Sequence, residues 1–585
     1  MRKDDGVDGD AQRIGQLTWM LFLKVLDQRE EEWEEQNPDY KSPIPEECRW
    51  RNWAAYVPDK NGTSKPQIEP GELIGFVNNT LFPNLRAIPA STDSESEDQD
   101  LETVEDSLRK VISQVFEDSN NYMKSGTLML GVIGKLNESI NFRDFTTQQN
   151  LGNIYEQILN DLRSAGNAGE FYTPRAITTV MVQLVNPRLD KREVVMDPAC
   201  GTGGFLTATI DHLRGQLPKN ASKEDQKTIE KSIVGVEKKQ LPYLLGTTNL
   251  LLHGIDVPSQ IGHRNTLAHP WEDWTSDDEV DCVITNPPFG GMEDEGVGSD
   301  YPETLRTRET SDMFMTLIVE KLLRDGGRGA VVLPDGFLFG EGIKSRVKKL
   351  LMQECNLHTI IRLPNGVFAP YTGIRTNLLF FTKGKPTETI WFYEHPYPEG
   401  RKSYSKTKPI LPEEFANEKA WWGKEENDFV ERQESDLAWK IDFKAKKQSA
   451  EAQAKPYWDK AQELNSQASA SVLEAQMRRD LRNSLKGVTE RAQRTLVEEQ
   501  ITNLRQRTEQ LRLQSRDAQS AGDRLYWSIY NLDIKNPNTI SEKDHDPDVL
   551  LKRYKTLLSD IEETQELLKN QLGIALAAHF GHEDV

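Results

Sequence analysis

Apolar residues recur along the chain in two rhythms, and the switch between them predicts where helical structure gives way to a sheet. Between positions 11 and 36 the apolar side chains share one stripe of a helix, namely Ile14, Leu17, Leu21 and Val25. Further helical stretches follow around 70–90 and 103–145. We therefore predict a mostly helical domain over residues 1–150.

From about residue 170, short β-rich apolar runs alternate with helical ones. The runs that predict strands are 193–197, 232–237, 281–286, 328–334, 357–364, 377–384 and 389–395. Helical patterns such as 205–217 and 312–327 lie between most of them. This alternation predicts an α/β domain over residues 151–400, with an open, mostly parallel sheet and helices on both faces. The last runs follow one another without long helices, which predicts an antiparallel edge hairpin.

Beyond residue 400 the chain is polar, which predicts a linker over 401–444, and helical periodicity resumes at about 445. Apolar residues there recur at three- and four-residue steps: Leu473, Met477, Leu481, Leu485, Val488 and Ala492, then Val497, Ile501, Leu504, Thr508 and Leu511, and finally Leu551, Tyr554, Leu558, Ile561, Leu568 and Leu572. Such narrow stripes predict coiled-coil seams or an antiparallel hairpin packed on itself. In either case residues 445–585 form an interaction region.

Length and charge narrow the picture. A chain of 585 residues is too long for one hydrophobic core, which agrees with several domains. The formal net charge of −21 repels nucleic acid on average, so any contact with DNA is expected to be local or to depend on a partner. Part of the acidity lies in STDSESEDQDLETVED (91–106), which predicts a solvated, flexible segment.

Cysteine usage and hydropathy predict the compartment. Cys48, Cys200, Cys282 and Cys355 lie far apart, without a CxxC pair, which favours buried structural thiols over a metal site or disulfides. No apolar run approaches the roughly 18 residues that a membrane span needs, and the start carries no apolar signal segment. We expect a cytoplasmic protein that holds no metal and does not enter a membrane.

The first candidate for chemistry is VVMDPACGTGGFL (194–206), a strand followed by a glycine-rich loop and a helix. Gly201, Gly203 and Gly204 fall at the carboxyl end of the strand, where an α/β sheet binds its ligand and where glycines permit a close approach. Asp197 would lie where a pyrophosphate would sit, so a ligand with an ammonium or sulfonium group fits better than a dinucleotide. The alternative is an ordinary turn.

Two further segments agree with a nucleoside ligand. Glu237 ends the strand of SIVGVE (232–237), where an acidic residue can accept hydrogen bonds from both ribose hydroxyls. Thr173 and Pro174 stand at the start of the helix RAITTVMVQLV, and we predict Thr173 as its N-cap and Pro174 as its first helical residue. Such a helix start suits a small carboxylate. The alternative is that this is simply a well-capped helix. The segment DCVITNPPFGG (281–291) closes a third strand with an amide, two prolines and a phenyl ring.

In this order, GEFYTPR (169–175), DPACGTGGFL (197–206) and NPPFG (286–290) resemble the S-adenosylmethionine-dependent methyltransferases that modify adenine in DNA. With LPDGFLF (333–339) and YNLDIKNP (530–537), nearly the whole chain is similar to the modification (M) subunit of a type I restriction–modification system. The resemblance implies a Rossmann-like class I methyltransferase sheet. Compared with that family, this sequence starts partway into the first helical element, so we expect a short N-terminal piece to precede residue 1.

The resemblance also implies residue roles. It assigns the cofactor to Glu170, Phe171, Tyr172, Thr173, Pro174, Arg175, Asp197, Thr202, Gly203, Gly204, Glu237 and Asn265, and the catalytic segment to Asn286, Pro287, Pro288 and Phe289. In that family an acidic or amide residue follows the third strand. Asn265 is our assignment for this residue, and Asp256 is the alternative. In this scheme the Asn286 side chain and the Pro287 carbonyl accept the hydrogens of the target amine, Pro288 fixes the turn, and Phe289 stacks on a flipped base.

The partners follow from what the chain lacks. We find no convincing nuclease pattern, no GxxxxGK helicase loop and no second α/β block large enough to recognise a DNA sequence. We therefore expect the chain to act on double-stranded DNA with a separate specificity (S) subunit, as a trimer of two M subunits and one S subunit. Two restriction (R) subunits could add to this trimer and make a pentamer of two R, two M and one S subunit. The alternatives are a stand-alone methyltransferase for RNA or protein glutamine, since NPPF also occurs there, or an inactive scaffold of the same fold.

Overall fold

The computed structural model describes residues 1–58, 64–89, 103–140, 145–161, 172–218, 221–405, 407–538 and 547–580. The chain forms two compact units, Met1–Ile534 and Lys535–Val585. Nothing among the described helices combines the length and the apolar character needed to cross a membrane. Most of the predicted acidic segment 91–106 lies outside the described residues, which resume at Thr103.

The N-terminal region is mostly helical. Its elements are α1 (Gly9–Gln36), α2 (Trp50–Trp53), the paired strands β1 (Tyr56–Pro58) and β2 (Ser64–Pro66), α3 (Pro70–Phe76), α4 (Phe82–Arg86), α5 (Val104–Phe116), α6 (Gly126–Ser139) and α7 (Phe145–Asp161). Trp19 of α1 meets Phe82 edge-on, with 5.1 Å between ring centroids. The predicted stripe of α1 points into this core, because Ile14, Leu21 and Val25 are buried.

The α/β region begins at α8 and carries its strands and helices in alternation. The helices are α8 (Arg175–Val185), α9 (Gly204–Arg214), α10 (Lys223–Lys231), α11 (Gln240–Leu252), α12 (Thr310–Leu317), α13 (Asp335–Phe339), α14 (Ile343–Glu354) and α15 (Ala416–Trp421). The strands are β3 (Val195–Asp197), β4 (Ile233–Glu237), β5 (Ile261–His263), β6 (Val280–Thr285), β7 (Leu323–Pro334), β8 (Cys355–Arg362), β9 (Thr376–Lys383), β10 (Thr389–Glu394) and β11 (Ala438–Asp442).

These strands form one mixed sheet in the order β11-β10-β8-β9-β7-β6-β3-β4-β5. All neighbours from β7 through β6, β3 and β4 to β5 are parallel, so their carboxyl ends meet at one edge. Successive side chains point to opposite faces: Val195 and Cys282 pack with α8, whereas Met196 and Val283 pack with α12 and α14. The predicted α/β fold with helices on both faces is confirmed.

The far half of the sheet differs in detail from the expectation. Antiparallel pairing is present, with β9 between β7 and β8 and with β11 against β10. The β8–β9 hairpin is not outermost, because β10 and β11 extend the sheet beyond it. Residues 401–444, predicted as a linker, supply α15 and the edge strand β11, where Trp439 stacks on Phe392 at 5.3 Å. This strand has five residues, of which Lys440 and Asp442 are charged, so its signal is weak.

Two long helices, α16 (Phe443–Ser484) and α17 (Arg491–Trp527), follow the sheet as an antiparallel hairpin, which we call the helical hairpin. Ser515 donates to the carbonyl of Ala461 at 2.7 Å and Trp458 to Asp523 at 2.9 Å, which fixes the register. The α17 seam is as predicted, since Val497, Ile501 and Leu511 are buried. The α16 seam was predicted wrongly: its buried positions are mainly alanines, and Leu473, Met477 and Leu481 are exposed.

The second unit contains α18 (Pro547–Phe580). The predicted apolar stripe of this helix is exposed in the described chain: Leu551, Tyr554, Leu558, Ile561, Leu568 and Leu572. Helix α18 therefore presents apolar side chains that its own unit does not cover.

Candidate active site

A cavity of about 240 Å³ lies at the carboxyl ends of β3, β4 and β6. Its lining includes these residues of the sequence prediction: Thr173, Asp197, Thr202, Gly204, Glu237, Asn265, Asn286, Pro288 and Phe289. Residues from five separate segments thus meet in one place, because the parallel strands end at the same edge of the sheet.

The floor of the cavity is the glycine-rich loop between β3 and α9. Gly201 and Gly203 have φ angles of +54° and +76°, a region that disfavours side chains with a Cβ. The loop also packs closely on α11, since a Cβ on Gly246 would lie 3.0 Å from the Gly201 carbonyl oxygen. The turn therefore requires glycines, and it brings backbone groups and the start of α9 to the cavity.

The N-terminal region supports this floor from below. Asn249 of α11 donates to the Thr202 carbonyl at 3.0 Å and to Glu156 of α7 at 3.1 Å. Tyr155 of α7 donates to the carbonyl of Leu245 at 3.3 Å. These bonds are buried, so they tie the glycine-rich loop, through α11, to the N-terminal helices.

Asp197 supplies a buried carboxyl group at the end of β3. Thr285, the last residue of β6, donates its hydroxyl to Asp197 Oδ1 at 2.6 Å, and the Ala199 amide donates at 3.2 Å. Burial raises the pKa of Asp197 to about 7, against the lowering effect of these two bonds, and the nearby Glu237 carboxylate adds to the rise. A cation placed beside Asp197 would stabilise its ionised form.

Glu237 lies at the end of β4 and holds two backbone groups. Its Oε2 accepts from the Gly201 amide at 2.9 Å and its Oε1 from the Lys239 amide at 2.7 Å. Burial raises the pKa of Glu237, partly offset by these backbone bonds. Each carboxylate oxygen keeps a second lone pair, so Glu237 can both fix the loop and accept hydrogen bonds from a ligand.

Asn286, directly after β6, is oriented by Thr173. Its Nδ2 donates to the Thr173 hydroxyl at 3.0 Å. Its Oδ1 is buried and has no hydrogen-bond partner among the described residues. An unsatisfied buried carbonyl of this kind costs about 1–3 kcal/mol, so the position favours a ligand that donates a hydrogen bond. The sequence prediction that Thr173 caps α8 is wrong by one position, because Pro174 holds the cap and the Thr173 hydroxyl bonds to Asn286.

The segment 290–312 lines part of the cavity, through Gly291, Met292, Glu293 and Thr310, and is fastened at two points. Glu293 accepts from Lys238, after β4, at 2.9 Å and from Asn265, after β5, at 3.0 Å. The Thr310 hydroxyl donates to the Pro288 carbonyl at 2.9 Å. The loop is therefore attached to the strand ends and to the NPPF segment itself.

Phe289, the last residue of the NPPF segment, also lines the cavity. The Phe289 ring is half-buried and meets Phe368 edge-on, with 6.1 Å between centroids. Pro288 is exposed and Pro287 is buried. Packing against Phe368 thus fixes one edge of the Phe289 ring. The part of the ring that stays exposed suits stacking with a planar ligand.

Several predicted residues do not line the cavity. Tyr172 is buried in the core shared with the N-terminal helices, and Arg175 donates to Asn153 at 3.0 Å and faces Asp211. Pro174, Gly203 and Pro287 are also absent from the lining; Pro174 and Gly203 cap the starts of α8 and α9. Glu170 and Phe171 lie outside the described residues.

The structure also separates Asn265 from its competitor. Asn265 lines the cavity, whereas Asp256 lies 3.8 Å from Arg29 at a different surface. Both ends of the Asn265 amide are already bonded, the oxygen to the Leu267 amide and the nitrogen to Glu293. Its visible role is to hold the loop 290–312.

Sequence reasoning missed Thr285, Glu293 and Thr310. Thr285 ends β6 beside β3, but the period-two pattern places it on the face of Val283 and Asp197 on the face of Val195, so alternation does not predict their hydrogen bond. Glu293 and Thr310 belong to a long polar loop, where no periodicity indicates which of many polar residues turns inward. Only the tertiary contacts with Lys238 and Pro288 distinguish them.

Comparison with known proteins agrees with this geometry. The N-6 DNA Methylase family matches residues 146–463, and the HsdM N-terminal domain family matches residues 1–136. The EcoEI methylase subunit of a type I restriction enzyme, from Escherichia coli, is 46% identical over 99% of this chain and 97% of its own length.

Two solved structures are similar over long stretches. A modification subunit ascribed to a type I restriction enzyme of Vibrio vulnificus YJ016 is 38% identical, with a TM-score of 0.59 over 75% of this chain and 89% of that one. A chain from a structure that describes assembly and conformational transition of the type I R-M system is 30% identical, with a TM-score of 0.65 over 97% and 96%. The chain therefore belongs to the family of type I restriction enzyme methylase subunits, which are DNA adenine methyltransferases.

Proposed function

We propose that the chain transfers a methyl group from S-adenosylmethionine to the exocyclic N6 of an adenine flipped out of double-stranded DNA. The observation that carries the proposal is Asn286 Oδ1, a buried acceptor without a partner among the described residues, beside a cavity with two carboxylates. An amino group that donates to this oxygen would satisfy it. The neighbouring cavity would then hold the methyl donor.

The residues fit S-adenosylmethionine. Asp197 suits its cationic methionine end, Glu237 has lone pairs for its ribose, and the positive φ angles of Gly201 and Gly203 let backbone approach the ligand. When bound, the cofactor supplies an electrophilic methyl group on a positively charged sulfur. Of the predicted cofactor set, Thr173, Thr202, Gly204 and Asn265 also border this cavity.

The chain's own residues position the amine. Asn286 Oδ1 and the Pro287 carbonyl each accept one amino hydrogen, which directs the nitrogen lone pair toward the methyl donor. Thr173 holds the Asn286 amide in that orientation, and Phe289 stacks against the base. The adenine must leave the helix to reach this cavity, at a cost of a few kcal/mol. As the nitrogen–carbon bond forms, the carbon–sulfur bond would break with its electron pair left on the sulfur, and the nitrogen would then release its extra proton to water, so no prior base is required.

We further propose that sequence specificity comes from a separate S subunit, in a trimer of two M subunits and one S subunit that two R subunits can extend to a pentamer. Residues 445–585, with the exposed stripe of α18, would supply the subunit contacts. The proposed division into 1–150, 151–400, 401–444 and 445–585 follows this assignment of roles. The expected site of action is the cytoplasm.

The test uses the full chain with tritiated S-adenosylmethionine and genomic DNA from a strain without modification systems, with and without a candidate S subunit. We expect label in N6-methyladenine after nuclease digestion and chromatography, and at most about one hundredth of it with Asn286→Ala in the same time. If the complete mixture produces no labelled methyladenine, the proposal is wrong.

A further inference from the structure

A second cavity, which we call the arginine groove, lies between the segment 339–346 and the helical hairpin. Its volume is about 1330 Å³, larger than the roughly 300–1,000 Å³ of a small-molecule site. Arg346 and Trp458 line it from opposite sides, with Arg512, Arg516 and Arg524 of α17 along its length. The size indicates a macromolecular ligand.

The groove carries free positive charge. Arg512, Arg516 and Arg524 lie four and eight residues apart on one stripe of α17, and all three are exposed. Within the described part of the chain no carboxylate forms an ion pair with them or with Arg346. Two acidic residues also line the groove, Glu341 and Asp523, and Asp523 already accepts hydrogen bonds from Trp458 and Gln519.

This charge stands out against the rest of the protein. Residues 443–527 contain 16 Lys and Arg against 11 Asp and Glu, a formal charge of +5 in a chain of −21. The first turn of α14, which begins at Ile343, also faces the groove through Ser345 and Arg346, so backbone amides of a helix start add to the cationic surface. Arginines, hydroxyls, amides and helix starts are the groups that contact DNA phosphates.

One loop connects the arginine groove with the active cavity. Arg346 donates to the Thr304 carbonyl at 3.1 Å, and Lys344 pairs with Glu309 at 2.6 Å. Thr304 and Glu309 belong to the loop 290–312, whose Thr310 lines the active cavity. That loop therefore contacts Arg346 of the arginine groove through Thr304 and lines the active cavity through Thr310.

We propose that the arginine groove binds the sugar–phosphate backbone of the DNA duplex that flanks the target adenine. The inference rests on the proposed function, because it places the same DNA substrate on a second surface. It also explains how an acidic chain binds DNA: the helical hairpin supplies a local cationic surface that the net charge conceals.

The test compares two triple variants of the full chain that remove equal charge from α17. Arg512→Gln/Arg516→Gln/Arg524→Gln neutralises the groove, and Arg494→Gln/Arg505→Gln/Arg507→Gln is the control, exposed on the same helix outside the groove lining. Binding to a fluorescein-labelled duplex of about 30 base pairs is measured across a salt series, since phosphate contacts do not depend on sequence. For the groove variant we expect the slope of log affinity against log salt concentration to become shallower by about 3, and the affinity near 0.1 M salt to fall at least about tenfold. We expect the affinity of the control variant to stay within about threefold of that of the unmodified chain.

A second pair adds one negative charge instead. Ser520→Glu lies in the groove and is expected to weaken duplex binding several-fold, while Gln506→Glu, elsewhere on α17, is expected to have little effect. Unchanged affinity for S-adenosylmethionine shows that each variant is folded.

Equal salt slopes for the groove and control variants would overturn the inference, and so would a wild-type chain that does not bind duplex at low salt. Loss of S-subunit binding with an unchanged salt slope would assign the groove to a protein instead. Failure of the proposed function looks different: the wild type would bind duplex and yet transfer no methyl group.

Discussion

The active cavity and helix α18 each leave groups without partners, but they do so in opposite ways. In the cavity the carboxylates of Asp197 and Glu237 are held by neighbouring donors, and Asn286 Oδ1 is left unpaired among the described residues. On α18 the apolar stripe is exposed along its length, from Leu558 at 41% to Leu568 at 66%.

This difference determines how many residues each of the two functions depends on. A chemical step depends on one acceptor at one position, because misplacing it removes stabilisation that exists only in the transition state. An apolar stripe binds through summed burial, so each side chain contributes part of the free energy. Single substitutions should therefore disable the cavity, whereas several together should be needed on α18.

The largest expected effect is that of Asn286→Ala. We expect the rate of methyl transfer to fall by about 10²–10³-fold or more, because the unpaired acceptor is lost. Affinity for S-adenosylmethionine should stay within about twofold, since Asn286 is assigned to the amine rather than the cofactor. Single-turnover transfer and calorimetric titration measure the two quantities.

A matched control for that variant is Thr173→Val, which keeps the amide but removes the group that orients it. We expect a loss of about tenfold, the value of one neutral hydrogen bond of roughly 1.4 kcal/mol. If Asn286→Ala instead abolishes cofactor binding, the base site has been assigned to the wrong side of the cavity.

The second prediction concerns pH. Burial raises the pKa of Asp197 to about 7, and a cationic ligand binds its ionised form. Protonation therefore competes with binding: affinity for S-adenosylmethionine should be level above pH 7 and fall by up to about tenfold per unit below it.

Calorimetry across the pH range measures this slope, and Asp197→Asn provides the comparison, with weak binding that does not vary around pH 7. The same slope in Asp197→Asn would mean that another group titrates.

The third and smaller effect is that of Glu237→Gln. The glutamine has one acceptor oxygen where Glu237 uses two, so one backbone bond to the loop is lost together with the charge that we propose for the ribose contact. We expect cofactor affinity to fall by about 10-fold. Because burial raises the pKa of Glu237, the folded protein gains little from its charge, and the free energy of unfolding should change by less than about 1 kcal/mol.

Glu303→Gln, outside the cavity lining, serves as the control, and denaturant unfolding supplies the stability measurement. A large loss of stability without loss of affinity would make Glu237 a purely structural support of the glycine-rich loop.

The sequence predicted the cavity better than it predicted the helical hairpin. Strand ends such as Asp197, Glu237 and Asn286 could be placed together, because parallel strands finish at one edge regardless of the helices between them. Arg175 could not be excluded, since sequence does not give the direction of a side chain at the start of a helix.

Short strands and small-residue seams account for most of the remaining misses. β5 and β11 have few apolar residues, and tertiary pairing rather than propensity places them at the sheet edges. In α16, large apolar residues such as Leu473 and Met477 suggested the seam, but close packing against α17 selects alanine at Ala454, Ala461 and Ala468. A stripe of alanines carries little hydrophobic contrast, so periodicity does not reveal it.

The smallest expected effect comes from single changes on α18, which complete the comparison. Because Leu558 is exposed in this chain, Leu558→Ser should change the free energy of unfolding by less than about 0.5 kcal/mol and weaken S-subunit binding by less than about tenfold. The triple variant Leu551→Ser/Leu558→Ser/Leu568→Ser should weaken that binding by about 100-fold or more, since the lost burial adds along the stripe. Glu562→Ser/Glu563→Ser/Lys569→Ser, which changes exposed charged residues of the same helix, is the control, and titration with the S subunit measures all three. If Leu558→Ser alone abolished assembly, α18 would contain a single dominant contact and would resemble the cavity rather than contrast with it.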